Sequence, residues 1–97
     1  MFEIIDNGDN VIICKFSGKF DTAACDEHMD SITPLMSRPG KLQFDFDGLQ
    51  FIASSFFRIV LTAHHEKKED LVIVNVPPVI RKMFKISNLD QLLLGNS

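Results

Sequence analysis

Two adjacent serines, Ser54 and Ser55, are the residues of this sequence best placed to do chemistry. Nucleophilic catalysis would need a base within hydrogen-bond reach of one hydroxyl. The histidines are His28, His64 and His65. The pair at 64 and 65 lies about three turns along the same expected helix, roughly 14 Å away by helical rise. No glycine-flanked nucleophile elbow surrounds either serine. Cys25 and His28, three apart, could share a helix face, but no CxxC or HExxH spacing supplies further metal ligands. The glycines stand singly, so neither GxGxxG nor GxxxxGK is present to cradle a phosphate. No catalytic, cofactor or metal site is therefore expected. What Ser54 and Ser55 can do is accept a phosphoryl group where a helix begins. A helix N-terminus carries unpaired N–H groups and about half a positive charge, which tolerates an anion. Phosphorylation there adds about −1.5 to −2 charge. A partner surface packed on the site would be repelled, making the serine a switch on association. The competing expectation is purely structural: Ser54 or Ser55 is the N-cap, and Phe56 and Phe57 are core.

The surrounding pattern predicts the elements that hold this segment. Phe2 to Asp6 reads as a strand, Asn7-Gly8-Asp9-Asn10 as a hairpin turn, and Val11 to Ser17 as the returning strand. Gly18 reads as a break. Asp21 or Thr22 offers an N-cap to a first helix, whose Cys25, Met29, Ile32 and Met36 share one face. Leu42 to Phe46 alternates as a strand, and Leu49 to Ile52 is a short apolar approach to the second helix. Leu71 to Asn75 is a continuous apolar run, expected to be buried on both faces of a parallel sheet. Pro77-Pro78 opens a third helix with Val79, Ile80, Met83 and Phe84 inward and Arg81, Lys82 and Lys85 outward. Ser87 to Leu94 reads as a last short helix, with Ser87 and Asp90 in capping-box spacing. The order β-β-α-β-α-β-α-α predicts an α/β fold with a mixed sheet of four to five strands and three to four helices.

Composition narrows the partners. The 97 residues fit one domain, 1–97, with 45% hydrophobic residues and nine Phe but neither Trp nor Tyr. A net charge of −3 disfavours nucleic acid and membrane surfaces, which need a dense basic face. Cys14 and Cys25 sit in apolar patterns as small buried thiols would. No secretory segment is expected ahead of the first strand, and no apolar run approaches the roughly 20 residues that span a bilayer. The expected compartment is a reducing cytoplasm.

Four segments, in order, resemble the motifs of STAS domains, the family of anti-sigma-factor antagonists and related modules. Ser17-Gly18-Lys19-Phe20-Asp21 is similar to the family's approach to its first helix. Leu42 to Leu49 is similar to its strand and D-L-S-G-V turn, and Phe51-Ile52-Ala53-Ser54-Ser55 to its switch segment. Val72 to Val79, with Ile86 to Leu89, is similar to its ending. The resemblance implies a single STAS-like domain that docks on an anti-sigma factor with serine-kinase activity. It implies that phosphate on Ser54, or alternatively Ser55, ends that association. It places Asp21, Gln50, Ala53, Ser54, Ser55, Phe56 and Phe57 at the partner surface, in a monomer or weak homodimer. Two positions depart from the family pattern: Ala53 stands where the acidic residue is expected, and Phe56 where the glycine is. These departures favour the alternative of a constitutive STAS subunit in a larger lipid-transport or stress-signalling assembly with no phosphate cycle. Phe56 either adds an apolar group to the docking surface or packs in the core.

Overall fold

The computed structural model describes residues 1–93. Strands β1 (Phe2–Asp6) and β2 (Val11–Phe16) form the antiparallel hairpin, with Phe2 opposite Phe16 and Asp6 opposite Ile12. Strands β4 (Lys41–Asp45) and β6 (Leu71–Val74) join it in parallel, giving a mixed four-stranded sheet in the order β1-β2-β4-β6. Between them come β3 (Gly18–Phe20), α1 (Thr22–Met36), β5 (Leu49–Ile52) and α2 (Ser54–Lys67). After β6 follow α3 (Pro78–Ile86) and a 3-10 turn at Asp90–Leu93. β3 and β5 pair with each other in parallel as a separate two-stranded sheet.

Strand alternation decides which side chains meet the helices. Ile12, Cys14 and Phe16 of β2, Leu42 and Phe44 of β4, and Leu71 and Ile73 of β6 are all buried. Five phenylalanines interlock here: the ring of Phe16 lies within 5.7 Å of those of Phe20, Phe44, Phe46 and Phe56, each pair edge to face. Such pairs add about 0.5–1.5 kcal/mol beyond the area they bury. One close approach demands glycine: Gly40 holds φ +99°, and a Cβ there would run into the Asn10 carbonyl. That contact packs the start of β4 against the hairpin turn, where Lys41 donates its N–H to the same carbonyl at 2.8 Å.

Three expectations need correction. The strand order omits two short elements, since both Gly18–Phe20 and Leu49–Ile52 are strands. β6 is not buried on both faces: Val72 and Val74 are only half-buried, while Leu71 and Ile73 face the core. The half-buried side of the sheet continues across β1, β2 and β4 through Ile5, Ile13 and Gln43, which are in register with Val72. Ser87 does not start a helix. It follows the end of α3, where Asn88 takes a left-handed conformation (φ 59°) and Leu89 donates to the Phe84 carbonyl at 2.8 Å. The Asp90–Leu93 turn then returns Leu92 and Leu93 to the core. Leu94, the last residue of that expected helix, lies outside the described residues.

Candidate interaction surface at the start of the second helix

The small β3–β5 sheet sets the site. Phe20 and Ile52 are register partners, so the two chains leave the sheet side by side, one into α1 and the other into α2. The Ala53 N–H donates to the Phe20 carbonyl at 2.8 Å, which locks the two helix starts together. At α1 the cap is the first of the two candidates, Asp21 rather than Thr22: Asp21 Oδ1 accepts from the Ala24 N–H at 2.9 Å. At α2 the expectation of a serine cap fails. Ala53 occupies the cap position with extended geometry (φ −87°, ψ 168°), and no side chain accepts from the first turn. Ser54 and Ser55 are already helical, one position and two positions in.

The two serines differ. Ser54 is exposed. Ser55 Oγ is enclosed; its polar neighbour is the Cys25 thiol, and no contact of full hydrogen-bond geometry reaches it. Ser55 also lines a small cavity of about 150 Å³ between α1 and α2, with Cys25, Asp26, Met29, Arg58 and Ile59. Burial pushes the Cys25 thiol up, and it pushes that of Cys14, under the sheet, up to about 12. In both cases burial favours the neutral thiol.

Phe56 is not part of the surface. It is fully buried, with its ring 5.3 Å from Phe16, 5.7 Å from Phe20 and 5.5 Å from Phe46. It plugs the core directly beneath the start of α2, so its assignment to the partner surface is withdrawn. Phe57 is half-buried and packs edge to face on Phe84 of α3, 4.9 Å between centroids. Asp21 and Gln50 are exposed and Ala53 half-exposed. Asp45 ties the β4–β5 turn to the end of β6: its Oδ1 accepts from the Asp47 N–H at 3.0 Å and from Asn75 Nδ2 at 3.1 Å.

α3 brings a feature that sequence reasoning missed. A second cavity, about 200 Å³, lies between α2 and α3, lined by Ile52, Ser54, Phe57, Met83, Ile86 and Ser87. Ile86 is 72% exposed and Val79 48%. The signal lay in the helix itself: five apolar residues in nine exceed what one buried face of α3 requires. His64 and His65 are exposed at the far end of α2. His28 stacks on the rings of Phe2 and Phe20 at 5.1 and 5.7 Å, apart from any cluster of ligating side chains among the described residues. No helix among the described residues is long and apolar enough to cross a membrane.

Comparison with known proteins places this architecture. The Bacillus cell fate determinant SpoIIAA, in its phosphorylated form, superposes with a TM-score of 0.75 at 20% identity, covering 97% of this chain and 89% of its own. An anti-sigma-factor antagonist (STAS) domain protein from Planctomyces limnophilus gives 0.81 at 16% identity, covering 95% and 86%. An anti-sigma factor antagonist from Mycobacterium paratuberculosis gives 0.81 at 21% identity, covering 97% and 82%. At these identities the likeness is one of fold. No curated protein matches the sequence. The family model described as "Mlab, STAS domain" matches residues 5–95, nearly the whole chain, and this chain therefore belongs to the STAS domain family.

Proposed function

We propose that this STAS chain is an anti-sigma-factor antagonist-like regulatory protein of the cytoplasm, which acts by binding and has no catalytic centre of its own. It docks on an anti-sigma factor with serine-kinase activity through the surface around Ser54, and phosphate on Ser54 ends the association. The observation that carries this reading is the state of the α2 start: an exposed hydroxyl in a first turn that no side chain caps. A phosphate there meets unpaired N–H groups and the positive end of the helix, so the fold accepts it. The partner, pressed against the same spot, does not. Ser55 is the poorer acceptor because its Oγ is enclosed.

Ala53 favours a second reading, a constitutive STAS subunit of a larger assembly with no phosphate cycle. A kinase site without the acidic neighbour lacks one of the charges its reader would use. Intact mass with site mapping, on protein isolated from its own cells during growth and stress, separates the two. Phosphate on Ser54 that changes with condition is the expected result. A protein free of phosphate in every condition, yet always co-purifying with one fixed partner, would replace the first reading by the second.

A further inference from the structure

The groove between α2 and α3 has chemistry of its own. Val79, Met83 and Ile86 follow the i, i+4, i+7 spacing of one helical stripe, and Met83 and Ile86 line the cavity together with Ile52 and Phe57. Its volume, about 200 Å³, falls below the roughly 300–1,000 Å³ of small-molecule pockets. It suits one apolar side chain presented by a partner, the usual form of an anchor in helix-in-groove recognition.

The charge beside the stripe chooses the partner. Lys82 stands three residues after Val79 and four before Ile86, so it borders the stripe along its length. Lys85 and Arg81 continue the cationic ridge. The nine residues of α3 carry these three cations and no acid, in a chain whose net charge is −3. Charge is therefore segregated onto the helix that flanks the apolar groove.

We infer that this groove receives an acidic amphipathic helix of the protein partner, with an apolar anchor beside Met83, Ile86 and Phe57 and carboxylates along Lys82 and Lys85. The inference rests on the reading of the Ser54 surface as a docking site and names what that surface recognises. It also gives the switch a mechanism. Ser54 lines the same groove, so phosphate there would put negative charge against the carboxylates of the incoming helix.

Two synthetic peptides of about 18 residues test this, long enough to hold some helix. Both carry Leu at i, i+4 and i+7; one has Glu at every flanking position and its twin has Lys. With isotope-labelled protein, the Glu peptide should bind and shift the amides of Ser54, Phe57, Met83 and Ile86, and the Lys twin should not. Lys82→Glu with Lys85→Glu should weaken the Glu peptide about tenfold, or about 1.4 kcal/mol. Ile86→Ser, at an exposed position that leaves the core intact, should weaken it severalfold. Ser54→Asp should weaken it too, with the loss shrinking at high salt. Equal binding of both peptides, shifts centred away from the groove, or no binding up to millimolar peptide would overturn the inference. So would sedimentation showing that Ile86→Ser dissolves a self-associated form, which would assign the stripe to a second copy of the chain. Phosphate mapped to Ser54 alongside a failed titration would sink the groove inference alone and leave the switch standing.

Discussion

The starts of α1 and α2 lie side by side on the β3–β5 pair, yet they are built in opposite ways. α1 is closed by its own sequence: Asp21 satisfies the Ala24 N–H, and Cys25 turns its buried thiol toward the Phe20 carbonyl at 3.8 Å. α2 is held from below and left open above. Phe56 plugs the core, Ala53 is tied to Phe20 through the backbone, and no side chain covers the first turn. At α1 a carboxylate takes the third N–H. At α2 the Phe56 N–H bonds the Ala53 carbonyl at 3.0 Å, the Ser54 and Ser55 N–H groups have no side-chain acceptor, and burial of Phe56 supplies the stability. The β3–β5 pairing gives both starts the same approach, so the difference between them lies in the capping residue and in what packs beneath it.

The strongest way to break this contrast is to remove the plug. Phe56→Ala should cost about 3–5 kcal/mol, as expected for a phenylalanine truncated in a packed core. Chemical denaturation would measure it. A loss below about 1 kcal/mol would mean that α2 is seated by something other than the phenylalanine cluster. This is also the position where the family pattern has glycine. Of the two roles open to Phe56, docking group or core, the side chain takes the core.

A smaller pair of changes exchanges the two designs. Asp21→Ala should lose about 1 kcal/mol and Ala53→Asp should gain about the same, the usual worth of an N-cap carboxylate. Ala53 already has the extended backbone a cap needs. The gain carries a pH signature with a definite sign. The new carboxylate would be held below its ordinary value by the helix N–H groups. Its stabilisation would therefore be present above about pH 4 and vanish as the pH falls through the folded value. Thermal melts of the single variants and the double variant at pH 7 and pH 3 would check both. If Ala53→Asp is neutral at pH 7, the first turn of α2 already has an acceptor in solution.

Sequence reasoning reached the parts governed by local rules. The alternation of Leu42, Phe44 and Phe46 announced a strand, and Asp21 announced a cap three residues before its Ala24 partner. The failures came where tertiary pairing overrode a local signal. Gly18 looked like a stop, but its positive φ (76°) lets it begin β3. Ser54 looked like a cap, but the bond from the Ala53 N–H to Phe20 fixes where the chain turns and moves the cap back by one residue. The groove was legible only in half: the surplus of apolar residues in α3 signals an exposed stripe but not what lies opposite it. Met83 and Ile86 become neighbours of Ser54 only when α3 packs next to α2 and β5, and no spacing along the chain encodes that.

The smallest expected effect is the one that sharpens the contrast most. Ser54→Ala should leave stability within about 0.5 kcal/mol of the parent, because the hydroxyl is exposed and caps nothing. Ser55→Ala should change stability by less than about 0.5 kcal/mol, since its enclosed Oγ meets no more than the weakly bonding Cys25 thiol. Two adjacent serines at a helix start would then contribute almost nothing to the fold, whereas a serine acting as a cap costs about 1 kcal/mol on removal. Denaturation midpoints of the two variants, measured beside Asp21→Ala, decide the matter. A loss near 1 kcal/mol for Ser54→Ala would make that serine a structural cap and remove the ground for keeping α2 open. Parent-like stability leaves the exposed hydroxyl with no structural work, which is what the proposed switch requires of it.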